Sequence, residues 1–226
     1  MEHDVLKEFL NYIINRKTMV EIRLYRLYCV THDISCGEMN LDFSQHSDLR
    51  TLALATIPES QLKVNISSLE DCDVEHLSKP GLLTSFLGEL PAASKLHKFR
   101  CSSLESSGDI DALLQTLPLL VQLKEVWLVC ISLNERSLSL SPEMVNIQYV
   151  FLKKVTMSDS SLGNLVKVVE KLPHSVTVDM RDCNITPETE FADFKKYMKA
   201  SKNFVVSVDE INQFEQYEFE FHTTKA

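Results

Sequence analysis

The sequence of 226 residues has little glycine and proline, with 5 and 7 residues respectively. It also lacks serine/glycine tracts and low-complexity runs, the compositions typical of flexible linkers. Because nothing marks a boundary inside the chain, the sequence predicts one continuous structural unit. A hydrophobic content of 44% is ordinary for a protein with a packed core.

Clustered basic residues are lacking too, and the formal net charge is −9. Nucleic-acid affinity depends on grouped Lys and Arg that displace counterions, so the composition disfavours nucleic-acid binding. No apolar run approaches the ~18 residues of a membrane-spanning helix. The N-terminus also lacks the basic start and apolar core of a signal peptide. We therefore expect a cytoplasmic protein with no membrane contact.

Motifs for metal binding and catalysis are absent as well. The six cysteines form no C-x-x-C pair and the seven histidines no H-E-x-x-H pattern, which predicts free thiols and no metal site. The sequence offers no nucleophile with a base at a recognisable spacing, and no G-x-x-x-x-G-K-[ST] phosphate loop. We predict that the chain is not an enzyme and needs no cofactor.

What the sequence does contain is a repeat. In four segments, apolar or small residues stand at relative positions 1, 4, 6 and 9, and the segment starts lie 27, 24 and 28 residues apart. Positions 4 and 6 alternate as on a short strand with one buried face, while positions 1 and 9 turn in from the flanking loops. The segments begin at Leu96, Leu123, Ile147 and Ser175.

Weaker copies of the pattern begin at Met19, Leu49, Gln61 and Asn203. The Leu49 and Gln61 starts are only 12 residues apart, so they cannot both begin full repeats. We assign the repeat to Leu49 and leave the register between residues 49 and 95 open.

Helical patterns separate the predicted strands. Apolar residues follow the i, i+3, i+4, i+7 spacing of an amphipathic helix over residues 162–172 and 191–198, for example. A Leu-Pro pair closes three such stretches, since a residue before proline is disfavoured in a helix. These pairs begin at Leu90, Leu117 and Leu172.

This recurring unit resembles the leucine-rich repeat of the ribonuclease-inhibitor type, in which a strand and a helix alternate over about 28 residues. The segment from Ser175 gives the clearest match, with Cys183 at the Asn/Cys position and Ile185 at the next Leu position. The chain is similar to the irregular C-terminal repeats of NOD-like receptors, cytosolic sensors of innate immunity. The resemblance implies an α/β horseshoe solenoid with a parallel sheet on its concave side and helices on its convex side.

The predicted organisation has three parts. Residues 1–18 carry an apolar stripe typical of a capping helix, residues 19–211 hold degenerate leucine-rich repeats, and residues 212–226 form a C-terminal cap or tail. In that tail, apolar and acidic residues alternate as in an edge strand. We favour a cap strand over an interaction motif.

The concave face of such a sheet carries the side chains that point away from the core. At position 5 of successive strands these are a basic, two aromatic and an acidic residue, a composition typical of protein-binding hot spots. A register shifted by one residue would instead place the aromatic side chains in the core. The predicted binding residues are Arg100, Trp127, Tyr149, Phe151, Lys153, Asp179 and Arg181.

The leading functional hypothesis is a ligand-sensing or partner-docking repeat domain that binds protein through this face, with its oligomeric state open. A second hypothesis is an F-box type substrate adaptor for ubiquitin ligation. It requires a helical module of about 40 residues, whereas some 18 residues precede the first predicted strand. A third is a small α/β enzyme, for which the sequence offers no catalytic constellation.

Overall fold

The computed structural model describes residues 3–25, 40–55, 61–75, 77, 81–211 and 216–224. Over these residues the protein is a mixed α/β structure with five α-helices and predominantly parallel sheets. The sequence predicted one continuous unit, but the chain divides into two compact units. The first comprises Met1–His97 with Ser106–Thr116, and the second Lys98–Glu105 with Leu117–Ala226.

In the first unit, β1, β3 and β5 form a parallel sheet, and β2 pairs with β4 in a separate parallel ribbon. The described strands of this unit are β1 (Glu21–Tyr25), β2 (Asn40–Phe43), β3 (Thr51–Ala55), β4 (Gln61–Val64) and β5 (Asp71–Glu75). Its helices are α1 (His3–Asn15), α2 (Leu82–Glu89) and α3 (Ser107–Thr116).

The second unit contains a six-stranded sheet of order β6-β7-β9-β11-β14-β13 and a three-stranded sheet of order β12-β10-β8. Its longer strands are β6 (Lys98–Ser102), β7 (Glu125–Val129), β9 (Tyr149–Lys153), β11 (Thr177–Arg181), β13 (Phe204–Ile211) and β14 (Tyr217–Thr223). The three-residue strands are β8 (Ser132–Asn134), β10 (Thr156–Ser158) and β12 (Asn184–Thr186). The helices are α4 (Asp159–Lys171) and α5 (Glu188–Ala200).

The central strands of this sheet confirm the predicted pairing. β7, β9 and β11 are adjacent and parallel, so that Val126 lies beside Val150 and Val150 beside Val178. Side chains at positions 4 and 6 are buried in all three strands. The Leu-Pro pairs also lie where predicted, since two enter short 3₁₀ turns after α2 and α3 and Leu172 is the C-cap of α4.

The strand pairing shows the register that the sequence left open between residues 49 and 95. The copy assigned to Leu49 leads into β3 of the main sheet. Gln61 begins β4, which belongs to the two-stranded ribbon rather than to the main sheet. The strand that follows β3 in the sheet is β5. A further copy of the 1-4-6-9 pattern begins just ahead of β5, and its four residues are all buried: Leu69, Cys72, Val74 and Leu77.

Each repeat in the second unit turns at position 8 through a residue of positive φ that is not glycine. The φ values of Ser103, Cys130, Lys154 and Asp182 are 56, 54, 52 and 50°. The amide of each donates to a carbonyl of the next strand, as in the 2.8 Å bond from Lys154 N to Arg181 O. These bonds offset a backbone cost of roughly 1 to 2 kcal/mol per residue. Behind the turns, the central residues of β8, β10 and β12 add a buried row: Leu133, Met157 and Ile185.

The C-terminal end departs from the prediction. The copy expected from Asn203 is wrong, because β13 runs antiparallel to β14, and β14 runs antiparallel to β11. The proposed boundary after residue 211 therefore separates two strands that pair with each other. The alternating tail does form a strand, β14, although its residues 212–215 lie outside the described part of the chain.

An aromatic cluster packs α5 against this hairpin. Phe219 and Phe221 of β14 are fully buried and lie beside Met180 and Val178 of β11 in the sheet register. The rings of Phe191 and Phe194 on α5 meet the Phe219 ring edge-on, with centroids 5.8 and 6.4 Å apart. The helix therefore covers the apolar face of the hairpin.

At the N-terminus, α1 lies within the predicted capping segment. Only part of its apolar stripe is buried, namely Leu6, Leu10 and Ile13, whereas Val5 and Phe9 are exposed.

The first prediction tests which face of β9 is the core. Leu152 is fully buried, so Leu152→Ala is expected to lower the free energy of unfolding by about 2 to 5 kcal/mol because it leaves a cavity. Lys153→Ala, on the opposite face of the strand, is expected to cost about 0.5 kcal/mol or less. Urea melts at low micromolar protein measure both, and equal losses would contradict the register.

The second prediction concerns Asp209, which ties β13 to α5 through Lys195 and Lys199 and to β14 through Tyr217. Burial alone would raise the pKa of Asp209, but hydrogen bonds from Lys199 and Tyr217 and the Lys195 charge lower it to about 2. A carboxyl with a lowered native pKa stabilises the fold above its unfolded pKa of about 3.9 and ceases to do so as the pH falls towards 2.

Asp209→Asn is therefore expected to lower the free energy of unfolding by about 1 to 2 kcal/mol at pH 7. The difference from wild type should shrink as the pH falls from about 4 to 2. Urea melts across this range measure it. A difference that is constant down to pH 2 would show that the Asp209 charge contributes nothing.

Candidate functional site

The candidate site lies on the side of the six-stranded sheet that faces away from the core. Trp127 stands between the buried Val126 and Leu128, and its own side chain is half-buried. Because side chains alternate along a strand, Trp127 and Phe151 project from the face opposite to the core residues. The alternative register, with these rings inside the core, is contradicted. The candidate face is defined here by Lys98, Arg100, Trp127, Tyr149, Phe151, Lys153, Asp179 and Arg181.

Three aromatic rings form a continuous cluster at the centre of this face. The ring centroid of Trp127 lies 4.5 Å from that of Phe151 and 5.5 Å from that of Tyr149. Tyr149 and Phe151 are 6.3 Å apart with nearly parallel rings. Such spacings are typical of stabilising aromatic pairs. Phe151 is consequently buried, although it projects from the face of β9 opposite to Val150 and Leu152.

Two cations lie over the outer rings of the cluster. Lys98 Nζ is 5.0 Å from the Trp127 centroid, and Arg181 Cζ is 5.3 Å from the Phe151 centroid, both within the range of a cation–π contact. Glu125 Oε2 accepts a hydrogen bond from Trp127 Nε1 at 3.1 Å. The same oxygen forms an ion pair with Lys98 Nζ at 3.2 Å. The cations are thus held in place by a ring and a carboxylate together.

Asp179 organises the other end of the cluster. Its side chain is only 3% exposed. It accepts hydrogen bonds from Tyr149 Oη at 2.7 Å and from Arg181 Nε and Nη2 at 3.1 and 2.9 Å. Arg181 Nη1 also lies 3.6 Å from a carboxylate oxygen of Glu218 on β14. Asp179 therefore orients Tyr149 and Arg181 rather than presenting its own charge to solvent.

This network also fixes protonation states. The hydrogen bond to Asp179 raises the pKa of Arg181. The pKa of Tyr149 is raised chiefly by burial and further by its own hydrogen bond to Asp179. Near neutral pH, Arg181 is charged and Tyr149 is a neutral hydrogen-bond donor. The charge states of these two side chains are therefore fixed near neutral pH.

The predicted residues are thus brought together, with different exposures. Trp127, Tyr149, Lys153, Arg181 and Arg100 are half-buried and present part of their side chains to solvent. Phe151 and Asp179 are buried, so they support the face more than they extend it.

Residues of β14 continue the candidate face and were missed. In the sheet register His222, Glu220 and Glu218 lie beside Thr177, Asp179 and Arg181. The tail was recognised as a strand from its alternation, but its pairing with β11 could not be read from that pattern. Since apolar residues of the tail face the core, the acidic ones between them had to face outwards.

Metal sites and membrane-spanning helices are absent from the described residues. No group of three or more His, Cys, Asp or Glu side chains in this part of the chain is arranged to hold a metal ion. The four described cysteines are free thiols. Burial raises the pKa of Cys183 to about 11, and its Sγ donates to Leu152 O at 3.3 Å, as suits a structural thiol. None of the described helices is long and apolar enough to cross a membrane.

Comparison of the chain with models of known protein families, with curated proteins and with solved structures finds no match. The function has to be argued from the geometry of the face.

The third prediction concerns the Asp179 network. Asp179→Asn removes the charge that holds Arg181, so it is expected to lower the free energy of unfolding by roughly 1 to 3 kcal/mol. Tyr149→Phe, which removes one hydrogen bond, is expected to cost about 1 kcal/mol. Urea melts provide the energies. Trp127, the sole tryptophan, reports locally through acrylamide quenching of its fluorescence.

Stronger quenching in Asp179→Asn than in wild type is expected, because Tyr149 then leaves the indole less covered. If Asp179→Asn is clearly destabilised but acrylamide quenches its tryptophan only as strongly as in wild type, Asp179 does not order the rings of Trp127, Tyr149 and Phe151.

Proposed function

We propose that this protein is a non-catalytic, protein-binding domain of the leucine-rich-repeat type that docks its partner on the candidate face. The observation that carries the proposal is the contiguous cluster of Trp127, Tyr149 and Phe151 on the side of the sheet that does not face the core. A large apolar surface edged by fixed cations is the composition of an interface centre.

The repeat type is supported by features that recur at the same positions. Seven copies of the 1-4-6-9 pattern lead into strands that pair in parallel, β1, β3, β5, β6, β7, β9 and β11. The four of these copies in the second unit turn through a residue of positive φ at position 8. A short second strand and a buried residue at position 11 follow in three of these copies. This order matches the leucine-rich-repeat unit, and a horseshoe solenoid with helices on its convex side is part of the proposal.

The charges of the face favour a protein partner. Lys98 and Arg181 are paired with carboxylates. On β14, Glu218 stands beside Arg181 and Glu220 beside Asp179. A phosphate backbone would meet these acidic groups, whereas a protein surface can supply both signs of charge and an apolar centre. A cytoplasmic role in ligand sensing, like that of the NOD-like receptors, is proposed on the resemblance alone.

The fourth prediction tests this function. Trp127→Ala is expected to weaken the partner by about 2 kcal/mol or more, on the order of thirtyfold, while the melting temperature changes little. Immobilised wild type and variant capture proteins from an extract of the source cells. A protein captured by wild type is then purified and titrated against both by isothermal calorimetry.

Tyr12→Ala is the matched control, since it removes an exposed aromatic ring from α1 in the first unit. It should bind as wild type does. Equal affinities of wild type and a folded Trp127→Ala variant for the captured protein would remove the candidate face as the binding site. A Trp127→Ala variant that unfolds would assign the ring to stability instead.

A further inference from the structure

The outward side chains at position 7 form a row with an ordered sequence of charges. Lys153 of β9 lies beside Arg181 of β11, Arg181 beside Glu218 of β14, and Glu218 beside Glu210 of β13. Across four neighbouring strands the row therefore reads positive, positive, negative, negative. Lys153 makes no ion pair with a described residue, and Glu210 is exposed.

Such a row is complementary to itself when it is reversed. A two-fold axis parallel to the strands, between β11 and β14, reverses the order of strands and leaves the position along each strand unchanged. A second copy laid face to face would then place its Glu210 opposite Lys153 and its Glu218 opposite Arg181. Every charge of the row meets its opposite, and a two-fold interface makes each contact twice.

The other rows are compatible with the same arrangement. In the strand register, Tyr149 lies level with Val205 and Phe151 level with Val208. The axis sets each ring opposite the valine of the second copy, and Val205 is 43% exposed in the single chain. Apolar surface therefore meets apolar surface.

The one unfavourable pairing sets Asp179 opposite Glu220. Asp179 is buried beneath its bonds from Tyr149 and Arg181, and Glu220 accepts a 2.6 Å hydrogen bond from Ser207 Oγ. Both carboxylates thus have partners within their own chain, which reduces their repulsion.

We propose that the β9-β11-β14-β13 half of this face binds a second copy of the chain as a two-fold dimer. The proposal rests on the proposed function, since it names a partner for part of the same protein-binding face. This half of the face, called the strip below, measures only ~14 Å across the four strands and ~16 Å along them. It is smaller than the ~800 Å² per partner of standard interfaces, so the dimer is weak and depends on salt.

Sedimentation equilibrium of the full chain from about 5 to 300 µM, in 50 and 500 mM NaCl, tests this arrangement. We expect a dimer in low salt with a dissociation constant in the micromolar range, and severalfold weaker association in high salt. Lys153→Glu and Glu210→Lys should each weaken the dimer at least tenfold, since each change turns two attractions into repulsions. Lys171→Glu, an exposed change of equal charge at the end of α4, should leave it unchanged.

Charge exchange separates pairing from net charge. The doubly substituted Lys153→Glu/Glu210→Lys chain, and an equimolar mixture of the two single variants, should both regain the wild-type dissociation constant within about threefold, because opposite charges again face each other. Circular dichroism confirms that each variant is folded. A chain that stays monomeric at 300 µM in low salt, a dimer indifferent to both substitutions, or a loss that the exchange does not repair would each overturn the dimer.

Trp127 lies one strand outside the strip, so Trp127→Ala should leave the dimer intact. If the chain is monomeric and Trp127→Ala loses the captured protein, the dimer is overturned and the proposed function stands. If the chain forms the charge-dependent dimer and Trp127→Ala still binds the captured protein, the dimer stands and the proposed binding site of that protein is overturned.

Discussion

Hydrogen bonds at both ends of β9 and β11 hold neighbouring strands in register, and every feature of the candidate face depends on that register. At the start of β9, the amides of Gln148 and Tyr149 donate to Lys124 O at 2.8 and 3.1 Å. At its end, Lys154 N donates to Arg181 O. With both ends fixed, a slip by one residue would move every buried side chain to the solvent face, at the cost of the whole apolar contribution of the strand.

The cluster of Trp127, Tyr149 and Phe151 on the candidate face follows directly from this register. Residues at the same level of neighbouring strands are about 4.8 Å apart, and the centroids of Trp127 and Phe151 lie 4.5 Å apart. Two rings at one level are therefore in contact, here with their planes tilted by 43°, and the cations from adjacent positions lie over them. The apolar surface is partly covered from within the chain, which limits the free-energy cost of keeping it outside the core.

Periodicity in the sequence was sufficient to predict the strands and the outward position of Trp127, because alternation is a local property. It failed at Leu69, where an overlapping pattern from Gln61 competed and acidic residues flank Cys72. It could not foresee the burial of Asp179, since that depends on Tyr149 of the neighbouring strand β9 and on Arg181 at the end of β11 itself. Nor does periodicity distinguish parallel from antiparallel pairing, so only the first strand of the C-terminal hairpin, β13, was predicted as another repeat.

That hairpin also decides how the second unit can meet another molecule. As the outermost strand of the six-stranded sheet, β13 has an edge that could template a further strand. The register shift between Val206 and Val208 interrupts its ladder, and Asp209 is bound to lysines of α5. Bulges and charges of this kind discourage strand addition. The candidate face, whose rows of charges on β9 and β11 continue on β14, is then a better surface for a protein contact than the edge of β13.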